Sequence, residues 1–184
     1  MRGFSCFTWL LEQIVLPLSK ICKIAHELKV MVKDNDKTVE RLLQQPYWVI
    51  DMLPKQVPQD SKGQFFVVER YYLEEPRHKR LCRQFADVLL KLNCYYDLHV
   101  SHDDEWVTNP QPAVMAEWLS ESLQHGHLCA LIDDGDSLIT ASGGDICLTL
   151  YNPSLSLLQL VSQLASAAGL FLWQPTQHIV PSNV

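Results

Sequence analysis

The sequence predicts an α+β domain, a two-layer sandwich in which a mixed β-sheet is covered by helices, with an additional helix at the N-terminus. Three observations lead there. Short runs rich in β-branched and aromatic residues alternate with longer runs whose apolar residues recur every three or four positions. The dipeptides Asp134-Gly135 and Gly143-Gly144 separate three short apolar runs in the manner of hairpin turns, which need positive φ. From Tyr47 onward the elements read ββαβαβββαβ, an order that packs as helices on a sheet. With 184 residues, 47% of them apolar and 20% charged, the chain has the composition of one ordinary globular domain.

The first thirty residues form a separate segment. Phe4, Phe7, Leu11, Ile14, Leu18, Ile21, Ala25 and Leu28 recur at alternating intervals of three and four, an apolar helical stripe with a kink at Pro17. Glu12 and Gln13 interrupt the apolar run, which leaves it short of a membrane span, and no small-residue cleavage site follows to make it a secretion signal. The stripe fits a helix packed on its own domain, a homodimer through residues 4–28, or a membrane-surface helix. The last is weakened by a polar face poor in Lys and Arg. Met31 opens the polar run MVKDNDK and offers an alternative start, in which case residues 1–30 are not native. The division is therefore 1–30, an amphipathic helical segment, and 31–184, a single α+β domain.

Within that domain, Asp36 is expected to cap a short helix ending at Gln45. The run YWVIDML (47–53) reads as a strand stopped by Pro54, and KQVPQDSKG (55–63) as a loop. Residues 64–73 hold Phe65, Phe66, Val67, Val68, Tyr71 and Tyr72, and this β-rich composition predicts a second strand. Pro76 suits the first position of a helix to Leu92, with Leu81, Phe85, Val88, Leu89 and Leu92 as its buried stripe. A strand over 95–101 follows. Pro112 then opens a helix carrying Val114, Met115, Trp118, Leu119 and Leu123 on one side. Strands are expected at 128–132, 137–141 and 146–151. Asn152-Pro153-Ser154 caps a last helix to Ala168, Gly169 ends it, and residues 170–173 make an interior or near-interior strand.

The densest chemistry lies in NCYYDLHVSHDDEW, residues 93–106. Strand alternation places Tyr96, Leu98 and Val100 on one face and Tyr95, Asp97, His99 and Ser101 on the other. Asp97 and His99 then project together about 7 Å apart, as in a pair that orients an imidazole for general-base work or shares a metal. Asp51 and Glu69 are the acids that neighbouring strands would add. The plainer reading is the polar outer face of a strand. His99, His102, His125 and His127 have suggestive spacings. A parallel pairing of 95–101 with 128–132 through helix 112–124 would separate their ends by roughly 20 Å. No metal site is expected, unless that connection is not a crossover.

Other clusters read as structure. DDGDS (133–137) lacks the twelve-residue frame and terminal Glu of a calcium loop, and SGGD (142–145) leads into a strand instead of a phosphate-binding helix. Arg77-His78-Lys79-Arg80 is the one basic cluster, placed where it opposes a helix dipole, with Glu74 and Glu75 to offset it. It reads as a solvated face, or else as a patch for a small anion or an acidic partner. Six cysteines at 6, 22, 82, 94, 129 and 147 show no close pair, which predicts reduced thiols in a cytoplasmic protein. A net charge of −6 argues against nucleic acid and is compatible with a basic protein partner.

The runs WVIDMLP from Trp48, RYYL from Arg70 and GLFLWQP from Gly169 resemble small uncharacterised bacterial α+β proteins over roughly 45–175. That resemblance implies no activity, cofactor or site residue. The chain lacks the G-x-S-x-G, H-E-x-x-H, Walker and dinucleotide motifs. The function expected is a non-enzymatic, cytoplasmic protein-binding module without a cofactor, immunity-like in one version, with Trp48, Trp106, Trp118 and Trp173 as possible anchors. The alternative is an enzyme with Asp97 and His99 on the open face of the sheet.

Overall fold

A computed structural model describes residues 34–58, 60, 63–103, 105–133, 136–143 and 146–175. The predicted N-terminal helix and the dimer surface at 4–28 lie outside the described residues. The elements run in order: α1 (34–42), β1 (Tyr47–Asp51), α2 (Phe65–Leu73), α3 (Arg77–Leu92), β2 (Leu98–His102), β3 (Glu105–Thr108), α4 (Pro112–His125), β4 (His127–Ile132), β5 (Ser137–Ser142), β6 (Cys147–Tyr151), α5 (Leu155–Ala167) and β7 (Phe171–Trp173). Helices and strands are both present, and the class is α+β.

The seven strands form one sheet in the order β3-β2-β4-β5-β6-β1-β7. Every neighbouring pair is antiparallel, which corrects the expected mixed sheet. The cause is β3, a strand that the acidic run 103–105 disguised as loop. Asp103, at φ 50, turns the chain, and β3 runs back along β2 in the register His99↔Thr108 and Ser101↔Trp106. Helix α4 therefore starts at the opposite end from the one a βαβ unit would use, and it delivers β4 antiparallel to β2.

One sheet face packs on α3, α4 and α5. Ile50, Leu98, Val100, Leu128, Ala130, Ile139, Leu148 and Leu150 alternate inward along their strands and meet Phe85, Leu89, Met115, Leu119, Leu157 and Val161 of the helices. Each fully buried Leu or Phe contributes about 1.5–3 kcal/mol of transfer free energy, so this layer is the main source of stability. The other face carries a smaller cluster of Leu42, Leu131 and Leu138, with Val39, Trp106, Cys129 and Tyr151 packed against it. Val39 and Leu42 bring residues 38–42 of α1 onto that face. Asp36 lies within α1 and is not its cap, and the helix stops at 42, with Leu43 to Gln45 in a turn.

The terminal elements follow the local chemistry closely. The Ser154 Oγ accepts the Leu157 amide at 3.2 Å and caps α5. At the far end Gly169 takes φ 77, while its own amide bonds Ser166 O and the Leu170 amide bonds Ala165 O. That pair of bonds closes a helix through a left-handed residue and suits glycine. Among the described residues β7 pairs with β1 alone and forms the sheet edge, so the expected interior or near-interior position is corrected.

The largest correction is α2. Residues 65–73 have β-type side chains yet form a helix. Phe65, Val68, Glu69 and Tyr72 recur at helical intervals, and Tyr72 packs against the main core while Phe66, Val67 and Tyr71 point outward. Strand propensity is a statement about packing on a pleated surface, and it yields where one helical face has a core to touch.

Candidate functional site

Asp97 and His99 do not form a shared site. Asp97 precedes β2, is exposed, and its Oδ1 accepts Asn109 Nδ2 at 2.7 Å. Asn109, at φ 48, also accepts the Leu98 amide at 2.9 Å and Asn93 Nδ2 at 2.7 Å through its Oδ1. Its own amide bonds Leu98 O at 2.8 Å. Asp97 thus belongs to a polar clasp that ends the β2–β3 hairpin. His99 lies on the predicted face, with Nδ1 2.9 Å from Thr108 Oγ1 across the strands.

The supporting acids are elsewhere. Asp51 sits on β1, four strands from β2, or about 19 Å at the usual strand spacing, and Glu69 is on α2. Burial pushes the Asp51 carboxyl above its ordinary range, with Glu69 nearby adding to the rise. Amide hydrogen bonds from Leu53 and Met52 oppose it. The two acids line a small recess of about 170 Å³ with Met52, Phe65 and Cys147.

His102 and His127 are separated by strand alternation, not by the crossover that the sequence suggested. The antiparallel register Ser101↔Cys129 brings His102 and His127 to the same end of adjacent strands. His127 shares the face of Cys129 and Leu131. His102 turns to the helix side, stacked on Trp118 with ring centroids 5.0 Å apart at 6°. Its Nε2 is 3.3 Å from Glu121 Oε2, and its Nδ1 is 3.6 Å from Asp103 Oδ2. Sequence spacing could not reveal this group, because it joins β2 to α4. Among the described residues no set of three or more His, Cys, Asp and Glu is placed to hold a metal ion.

Inside the helix layer, His78 and Cys82 occupy successive turns of α3, both buried, with Sγ 3.5 Å from Nε2 and Gln124 Nε2 3.4 Å from Nδ1. Burial raises the Cys82 pKa, which keeps the thiol protonated and unsuited to nucleophilic attack.

Two surface features remain. One is a cleft of about 390 Å³ bounded by Met52, Leu53, Val68, Tyr72, Arg77, Arg80, Leu81, Gln84 and Gly169. The other is the outer side of α2, where Phe66, Val67, Tyr71 and Leu73 are exposed. The four tryptophans expected as anchors are each half-buried, and Phe66 and Tyr71 hold the exposed positions instead. Among the described residues no helix is long and apolar enough to cross a membrane. Comparison of the chain with family models, curated proteins and solved structures returned no match.

Proposed function

We propose that this chain is a cytoplasmic, non-enzymatic module that binds another protein through α2. One observation supports the reading above the others. No residue of α2 is fully buried, and Phe66 is 77% exposed, Val67 65% and Tyr71 53%. Single exposed apolar residues are ordinary, but a contiguous set rimmed by charge is what interaction surfaces present. Here Arg70 and Glu74 supply the rim. Aromatic side chains on a short helix suit the mode in which a helix lies in an apolar groove of its partner. A net charge of −6 favours a basic partner through long-range attraction, and an immunity-type protein that neutralises a basic toxin is one form of this function.

The test is a photoreactive residue placed at position 66 in the cell of origin, compared with one at Leu155, which is 81% exposed on α5. A single basic protein crosslinked from position 66 and absent from position 155 supports the proposal. The same products from both positions, or none from position 66, contradict it.

A further inference from the structure

The cleft behind α2 has features that a docking helix does not require. Its walls come from four places: the exit of β1 (Met52, Leu53), the inner side of α2 (Val68, Tyr72), the first turns of α3 (Arg77, Arg80, Leu81, Gln84) and the end of α5 at Gly169. Gln84 Nε2 donates to Ala168 O at 2.8 Å and ties α3 to the end of α5 on one side. On the other side, Arg77 Nε donates to Tyr71 O at 2.6 Å and ties α3 to α2. The walls are therefore set by bonds within the fold, and the volume of about 390 Å³ falls in the ~300–1,000 Å³ range of ligand pockets.

The charge of the cleft needs an explanation. Arg77, Lys79, Arg80 and Arg83 crowd the first two turns of α3, where the helix dipole already presents positive charge and no side chain caps the helix. Arg77 is partly answered: its Nη2 bonds Glu74 Oε2 at 2.9 Å, and its Cζ lies 3.7 Å from the centre of the Tyr71 ring. These contacts hold the guanidinium rigidly and leave most of its five N–H donors unused. Arg80 lines the same cleft and makes no side-chain bond among the described residues. Two guanidiniums at one wall, one of them pre-positioned, are suited to a carboxylate. Across from them, on the exit of β1 and on α2, are Met52, Leu53 and Val68, an apolar wall that no inorganic ion would use.

We infer that this cleft binds a small carboxylic acid with an apolar body, its head group on Arg77 and Arg80 and its body against Met52, Leu53 and Val68. This site is distinct from the outer face of α2 and does not depend on a protein partner.

Titration calorimetry of the full chain with octanoate tests it, with octan-1-ol as a neutral ligand of the same length. Octanoate is expected to bind once per chain and octan-1-ol at least about tenfold more weakly, the scale of one charge-assisted hydrogen bond. Arg80→Gln, at an exposed position, should weaken octanoate by a similar factor, with Arg80→Lys restoring part of it. Val68→Glu, also at an exposed position, should abolish binding by placing a carboxylate in the cleft. Equal affinity for acid and alcohol would overturn the inference, as would an unchanged titration in Arg80→Gln or no saturable binding of millimolar octanoate.

Discussion

Replacing Leu157 by alanine tests the packing of α5 on the sheet. The side chain is fully buried in the main cluster, among residues of α3 and the strands. Removing three carbons forfeits about 2.4 kcal/mol at ~0.8 kcal/mol per buried methylene, and an unfilled cavity raises the cost into the range of about 2–5 kcal/mol. Leu160 and Leu164 are half-buried against the same cluster, so the same change there should cost about 1–2 kcal/mol. Leu155, at 81% exposure, is the control and should stay within about 0.5 kcal/mol. Urea unfolding followed by circular dichroism, with a common slope for all four variants, gives the series directly. In melting temperature the Leu157 variant should lose about 4–20 °C. If Leu155→Ala costs as much as Leu157→Ala, the helix is rotated relative to this description and the packing argument fails.

Three further outcomes follow from particular contacts. Asn109→Ala removes the acceptor of the Leu98 amide, takes one bond each from Asp97 and Asn93, and puts alanine at φ 48; chemical denaturation should show a loss of about 1–3 kcal/mol, with Asn109→Gly losing less. Asp51 has a raised pKa in the fold, so its ionisation favours the unfolded chain, and its contribution to stability falls as pH climbs from the ordinary carboxylate range through the raised value. Asp51→Asn, which keeps an oxygen for the Leu53 amide, should therefore stabilise the protein at neutral pH and leave it unchanged in acid, as a pH series of melting temperatures would show. Gly143→Ala sets a Cβ 3.0 Å from the backbone at Gly126 N and His125 C, and thermal unfolding should register a loss of about 1–3 kcal/mol.

What could be read from the sequence was local. The stripe Leu81, Phe85, Val88, Leu89 and Leu92 is buried as its spacing requires, and Ser154 and Gly169 bracket α5 because cap chemistry acts over four residues. Leu98 and Val100 face the core, so the register of β2 was legible from alternation alone. The errors arose where tertiary context decided the outcome. The side chains of α2 suited a strand, but the described sheet continues through β7 on the far side of β1, and residues 65–73 instead pack one helical face toward α3. β3 follows an acidic turn and is only four residues long, and its omission reversed the inferred direction of α4 and with it the sense of the sheet. Gly143 stands in a turn, as expected, and lies against the 125–126 backbone, while Gly144 of the same dipeptide and the Asp134-Gly135 turn lie outside the described residues. The His102, Trp118 and Glu121 group was invisible because its members come from different elements. The basic start of α3 was visible, but the apolar wall opposite it was not.

The central claim is that the outer face of α2 serves binding and not folding, and the double variant Phe66→Ser/Val67→Ser separates the two. Both side chains are exposed, so folding stability should stay within about 1 kcal/mol of the parent chain. Affinity for the protein crosslinked from position 66, measured with purified components, should fall at least about tenfold, the scale of one interface anchor. Unchanged affinity together with a stability loss above about 2 kcal/mol would assign Phe66 and Val67 to the core and contradict the account.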